Sequence, residues 1–179
     1  MDRLVTAALA CVEEGEPADL AAVAARVGVT RQTVYRYFPG RRALFQAAAY
    51  RLAGVLVEQV AVHLTGVVDA EDGVVEVVLF CLRTLPADPQ LSFIVRPGHD
   101  DAIIMSPQGP ALAATILTQL PIDLAHLSEA DLAHLAEHMV RLLQALLLDP
   151  STAGRDDADI RRFLHGCLAP SVHPATIRR

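Results

Sequence analysis

The sequence predicts an all-α protein built from a short three-helix N-terminal unit and a longer helical domain. Composition is the first reason. Of 179 residues, 53% are hydrophobic, 4% are aromatic and none is Trp. The excess is Ala, Leu and Val, a mixture that favours helix over sandwich or barrel. Periodicity is the second, because apolar residues recur three and four apart along most of the chain. Punctuation is the third: capping Asp, Ser and Thr precede these runs, and Gly or Pro follows them. So apolar a chain is not disordered, and it is long enough for a real core.

The elements follow in order. Asp2–Glu14 carries Leu4, Ala8, Cys11 and Val12 at helical spacing and ends at Gly15. Asp19 is placed to cap a second helix, lined by Leu20, Val23, Ala24 and Val27 and stopped by Gly28. Gly28 lets the chain turn sharply through positive φ. Thr30 caps a third, short helix through Phe38, which Pro39-Gly40 stops, and a long apolar helix then runs from Arg41 into the early sixties. In the second half, helices are expected over Asp72–Leu85, closed by Pro86, over Leu91–Arg96 and over Ala111–Leu120, with a loop from Gly98 to Pro107. Ser128 caps the strongest of them, where Leu132, Leu135, Met139, Leu142 and Leu146 form a stripe that Asp149-Pro150 ends. A last helix is expected from Asp156 to about Leu168, with a frayed tail after Pro170.

The charge is unevenly distributed. The formal net charge is −6, and every basic residue is Arg. Residues 1–51 hold seven Arg and five acids, giving +2, whereas 52–179 hold eight Arg and sixteen acids, giving −8. Leu20–Val57 contains six Arg and no acid. A basic island in an acidic chain marks a localised polyanion contact. It coincides with two short helices joined across a glycine turn, the helix-turn-helix signature.

Within Thr30–Phe38, Val34 and Phe38 are four apart and can pack inward. That leaves Arg31, Gln32, Thr33, Tyr35, Arg36 and Tyr37 for the other faces. Arg can read guanine bidentately and Gln can read adenine, while Thr, Tyr and a nearby Arg suit phosphates. Gln32 and Arg36 are open to either a base-facing or a solvent-facing position.

The segment Leu20–Phe45, LAAVAARVGVTRQTVYRYFPGRRALF, resembles the DNA-binding region of TetR-family transcriptional regulators. The matching features are Val23-Ala24, the turn Gly28-Val29, the cap Thr30, Thr33-Val34-Tyr35, Tyr37-Phe38 and Ala43-Leu44-Phe45 after a basic residue. The resemblance covers about residues 3 to 50. It implies that Arg31, Gln32 and Arg36 face bases and that Thr33, Tyr35, Tyr37 and Arg41 hold phosphates. Tyr37 stands where the family commonly has His, Arg41 where it usually has Lys, and Arg42 where an acid is common.

The resemblance also divides the chain into a DNA-binding domain, 1–47, and a ligand-binding and dimerisation domain, 48–179. It implies a homodimer through Ser128–Leu148 and Asp156–Leu168, a palindromic double-stranded operator, and a small, mainly apolar effector. Val55, Val78, Phe80, Phe93, Ile103, Ile104, Met105 and Leu117 are candidate pocket walls, although apolar residues more often serve as ordinary core. The reading is a ligand-responsive regulator, most simply a repressor. The alternative is a helical ligand-binding or protein-interaction module without specific operator binding.

Other chemistries find little support. His134 and His138 share a helix face beside Glu137, but no HExxH motif or third ligand accompanies them. His99-Asp100-Asp101 reads as a polar loop, and Ser106 and Ser171 lack a nucleophile-elbow context. No enzyme, cofactor or metal is expected. Cys11, Cys81 and Cys167 form no CxxC pair and read as reduced thiols of a cytosolic protein. Leu4–Val12 lacks the basic flank of a signal peptide, and the uncharged stretch Ala102–Ile122 is broken by prolines, so a soluble cytoplasmic protein without a membrane anchor is expected.

Overall fold

A computed structural model describes residues 1–15, 19–95 and 107–173, excluding the side chains of Phe93 and Ile94. Within them the regular structure is helical: α1 (Asp2–Glu13), α2 (Leu20–Val27), α3 (Arg31–Tyr37), α4 (Arg41–His63), α5 (Ala70–Ala87), α6 (Ser92–Val95), α7 (Gly109–Leu117), α8 (Glu129–Leu148) and α9 (Asp157–Val172), with a 3₁₀ turn over Pro150–Gly154. The expected loop Gly98–Pro107 lies outside the described residues apart from Pro107.

The N-terminal helices begin and end where side-chain chemistry dictates. The Asp19 carboxylate accepts from the Ala21 and Ala22 amides at 2.8 Å each, satisfying two of the open donors of α2. These amides, Ala22 first and then Ala21, together with the fields of Arg31 and Arg41, hold its carboxyl below the ordinary value. At the other end Gly28 has φ 74°; its amide bonds to the Ala25 carbonyl and the Val29 amide to that of Ala24. That pair of bonds closes the helix in a Schellman motif. Two residues later the Thr30 hydroxyl accepts from the Thr33 amide at 3.2 Å and opens α3.

Further along, two prolines behave differently from expectation. The helix expected over 72–85 starts at Ala70, because Asp69 caps it by accepting from Glu71 and Asp72. It also runs through Pro86 to Ala87, and α9 runs through Pro170 to Val172 rather than fraying there. Each proline sits in a final turn, where the missing N–H removes one bond and later residues still close the helix. The Asp88 amide reaches the Thr84 carbonyl, and the His173 amide reaches that of Ala169. The end of α9 is held besides by burial of Val172 and by a bond of 2.9 Å between His126 Nε2 and the Val172 carbonyl. Helix α7 starts two residues before the expected Ala111 with Pro110 in its first turn, a position prolines tolerate, and stops at Leu117.

α1, α2 and α3 pack as a unit that leans on the start of α4, while α5 packs on α9 and α7 on α8. One continuous apolar cluster joins both parts, from Leu4 and Val34 through Leu44 and Phe45 to Leu135, Ile160 and Leu168. The 23-residue α4 crosses the 47/48 position without a break. Near the α1 terminus, Arg51 Nη1 donates to Thr6 Oγ1 at 2.7 Å, tying α4 to α1. The α5–α9 seam is fastened by Glu76, whose carboxylate takes the Arg161 guanidinium and, at 2.9 Å, His63 Nε2. Arg161 first, and His63 after it, hold the Glu76 carboxyl below 4.5.

Two outcomes test this account. Gly28→Ala should lower stability by about 1–2 kcal/mol through the left-handed backbone alone, since an added Cβ meets nothing within 4 Å. Gly54→Ala, exposed within α4 with the same open surroundings, should instead raise it by about 0.5–1 kcal/mol. Thermal or urea unfolding of the two variants checks the signs. A depressed carboxylate stabilises the fold above its unfolded pKa and loses that contribution as pH falls through the folded value. Glu76→Gln should therefore cost about 1 kcal/mol at neutral pH and flatten the loss of stability below pH 4.5, as read by urea unfolding across that range.

Candidate nucleic-acid interface and interior cavity

Helix α3 has seven residues, too few to persist alone in water. It is held by its cap and by Val34, fully buried, with Phe38 buried just beyond the helix end. Taking Val34 as the inward direction, Gln32 and Arg36 stand roughly 160° around the helix, on opposite sides of the outward pole. Arg31, Gln32, Tyr35, Arg36 and Tyr37 are exposed and Thr33 is half-buried, its hydroxyl 2.9 Å from that of Thr30. A surface hollow on this face is bordered by Thr30, Gln32, Thr33, Tyr35 and Arg36. Gln32 and Arg36 are thus exposed on the outward side of α3, a placement common to both positions left open for them.

The cations of this face are arranged against aromatic rings. The Arg31 guanidinium lies 5.6 Å from the Tyr35 ring centre, that of Arg36 5.3 Å from Tyr37, and that of Arg41 4.9 Å from Phe45. Arg41 begins α4, whose N-terminus is preceded by Gly40 and has no side-chain cap. All eight residues proposed from sequence, Thr30, Arg31, Gln32, Thr33, Tyr35, Arg36, Tyr37 and Arg41, therefore lie on α3, its cap or the first turn of α4.

A second feature lies inside the helical domain. α4, α5, α7 and α8 surround a cavity of about 80 Å³. Ala49, Ala53, Leu56 and Val60 line it from α4, Val77, Val78 and Cys81 from α5, Leu112 and Ile116 among others from α7, and Met139, Val140 and Leu143 from α8. Of the wall residues proposed from sequence, Val78 and Leu117 line it. Val55 does not: it is 44% exposed on α4, one position off the inward row. Phe80 is half-buried and meets the His63 ring, 5.0 Å between centres, instead of the cavity. Ile103, Ile104, Met105 and the Phe93 side chain lie outside what is described. The α4 row was missed, although its spacing of four, three and four residues between Ala49, Ala53, Leu56 and Val60 is that of one helical face.

The remaining polar candidates do not converge. His138 bonds to Ser171 Oγ at 2.9 Å, and His134 is exposed. His99, Asp100, Asp101 and Ser106 lie outside the described residues. Among the described residues no three His, Cys, Asp or Glu side chains gather as a metal site, and no helix is long and apolar enough to cross a membrane.

A capped helix-turn-helix presenting an Arg-, Gln- and Tyr-covered helix, joined by one helix to a domain with an apolar cavity, defines a transcriptional regulator of the helix-turn-helix class. Comparison with known proteins makes the class specific. Residues 4–48 match the model of the bacterial regulatory proteins of the tetR family. Over 187 aligned positions, covering 98% of the chain and 86% of the relative, it is 29% identical to an HTH-type transcriptional regulator of Mycobacterium tuberculosis. The fold is that of the R. erythropolis transcriptional repressor QsdR from the TetR family, with TM-score 0.66, 20% identity and coverage of 96% and 93% of the two chains. A TetR-family regulator from Streptomyces coelicolor matches with TM-score 0.53, 25% identity and 97% coverage of each chain. The transcriptional regulator FadR of Bacillus subtilis, solved with stearoyl-CoA, matches with TM-score 0.52, 15% identity and coverage of 96% and 97%. Residues 4–48 therefore form a DNA-binding domain of the bacterial tetR regulatory type, and the relatives that match nearly the whole chain are transcriptional regulators.

The cavity account can be checked through Cys81. Burial pushes its thiol up to about 12, so at neutral pH it stays protonated as well as enclosed. A charged thiol reagent should label Cys81 in the folded protein roughly a hundredfold or more slowly than after unfolding. Labelling followed by peptide mapping reads this, and rapid modification of Cys81 in the native state would mean that the cavity is open to water.

Proposed function

We propose that the protein is a ligand-responsive repressor that binds a palindromic operator as a homodimer and is released by a small, mainly apolar effector. The observation that carries the DNA-binding part is the outward face of α3: five exposed polar or aromatic residues around one buried valine, within a stretch that has six Arg and no acid. Arg31, Gln32 and Arg36 are assigned to bases, Thr33, Tyr35, Tyr37 and Arg41 to phosphates, and Thr30 to the cap that sets the helix in place. The working division falls at 47/48, within α4.

The effector reading rests on the cavity, whose walls are hydrocarbon apart from the Cys81 thiol, the Met139 thioether and backbone. FadR's stearoyl-CoA supports a ligand site in a domain of this fold, but so small a hollow favours a smaller, uncharged molecule. QsdR supports repression as the mode. For the dimer, α8 and α9 offer outward apolar side chains, Leu148 and Phe163, 53% and 41% exposed. Pairing of these helices with their mates would cover both.

The test begins with duplexes selected by the full-length protein from a randomised DNA pool. Affinity for the selected duplex should fall steeply with salt, by roughly 0.9 in the logarithmic slope per phosphate neutralised. Arg31→Ala should weaken it by about tenfold or more and Tyr35→Phe by a few-fold, with dimerisation unchanged in both. Phe163→Arg should shift sedimentation toward monomer and lower operator affinity as a consequence. Equal binding to all sequences, or full affinity in both α3 variants, would favour a module of the same fold without specific operator binding.

A further inference from the structure

The geometry points to a division of labour on α3 in which the rings of Tyr35 and Tyr37 are positioning groups that hold Arg31 and Arg36 ready to read two guanines in each operator half-site. This rests on the reading of α3 as the DNA-contacting helix. It adds a role for two tyrosines that the resemblance assigns only to phosphates.

Two arginine–tyrosine pairs share one construction. Arg31 and Tyr35 are four apart on one helix face, with the guanidinium carbon 5.6 Å from the ring centre and Nη2 3.4 Å from Oη. Arg36 and Tyr37 make the matching contact at the end of the helix, at 5.3 Å and 3.5 Å. Tyr37 can do so because the backbone leaves the helix at Phe38, which has extended φ and ψ. Among the described residues neither arginine is in a salt bridge, so an aromatic ring takes the place that a carboxylate usually fills.

That substitution matters chemically. A carboxylate partner would occupy the donor edge of the guanidinium and repel phosphates. The ring covers the flat face and the phenol oxygen takes one Nη2 N–H, leaving the other donors of the fork for the N7 and O6 acceptors of guanine. A long flexible side chain also loses less freedom on binding if it is already stacked. The phenol oxygen accepts from the arginine, and its own O–H remains able to donate to a phosphate. Ring and hydroxyl therefore have separable effects: the ring acts on base discrimination, the hydroxyl on affinity for any sequence. Arg31 and Arg36 are five residues apart and leave the helix in different directions, so they address different base pairs.

The experiment uses the full-length dimer and the duplex it selects from a randomised pool. Affinities are measured for that duplex and for versions in which each selected guanine is replaced by 7-deazaguanine or by adenine. Arg31→Ala and Arg36→Ala should each abolish discrimination at one guanine per half-site, worth about tenfold to a hundredfold. Tyr35→Leu and Tyr37→Leu should lower discrimination at the same guanine by about two- to fivefold and have no further effect on it in the matching alanine background. Tyr35→Phe and Tyr37→Phe should keep the discrimination and weaken all duplexes alike. Both tyrosines are about half exposed, at 44% and 47%, so the variants should fold, which circular dichroism melts check. A selected half-site without guanine overturns the proposal, as do leucine variants with full discrimination or phenylalanine variants that lose as much of it as leucine. If the wild type selects no sequence at all, the DNA-binding reading itself fails and takes this one with it.

Discussion

Everything functional in this molecule depends on α4 being one unbroken helix. Its first turn holds Arg41, and its next inward residues, Leu44 and Phe45, belong to the packed base of the helix-turn-helix. Ala49 begins the cavity wall eight residues beyond Arg41, about 12 Å along the axis at helical rise. No glycine-rich linker or loop intervenes to absorb a displacement. Gly54 lies in the helix without bending it into two elements, and Arg51 fastens the same stretch to α1. On the proposed reading, a shift of the cavity wall would reach the DNA-binding unit through this one rigid element, the physical requirement for coupling two separated sites.

The second constraint is how little holds α3. With a single buried residue inside the helix, its place is fixed by what flanks it: the left-handed Gly28, the Thr30 cap and Phe38 beyond the end. That economy frees almost every side chain of the helix for contact. A longer recognition helix would bury more of itself against α2 and present a smaller fraction of its surface. The same logic explains why stacking on rings, rather than ion pairing, suits Arg31 and Arg36 here. It steadies them without using the edge that contacts need or adding negative charge to the face.

The two halves were unequally legible from sequence, for physical reasons. Asp19, Gly28 and Thr30 act locally, so their side chains and backbone requirements announce the ends of α2 and the start of α3 directly. Val34 as the inward point likewise followed from spacing. With that inward point known, helical geometry puts Gln32 and Arg36 on the far side, and both are exposed. The remaining differences have two causes. Pro86 and Pro170 read as stops, yet a proline in the last turn removes one donor and leaves the following closures intact. Val55 reads as a wall because it is apolar, while the inward row is set by Ala53, Leu56 and Val60, with Val55 rotated out of it. Small residues such as Ala49 and Ala53 give a weak hydrophobic signal even where they shape a cavity.

The size of that cavity sharpens what an effector must do. An apolar hollow of about 150 Å³ accommodates benzene, whereas the one here is about 80 Å³, and drug-sized ligands occupy roughly 300–1,000 Å³. A molecule much larger than a few carbon atoms would not be enclosed by this hollow as it stands. Among the surrounding helices α5 and α8 are packed on α9 as well, and α5 is pinned to it by Glu76 and Arg161, so they yield least. α7 is packed closely on α8, whereas α4 packs sparsely on α5, so the α4 wall resists least. Volume demanded by the ligand is then taken up partly by α4, the one wall that continues into the DNA-binding unit. On the proposed reading the restriction on size would itself carry the signal, because a roomier cavity would accept the same ligand without moving anything.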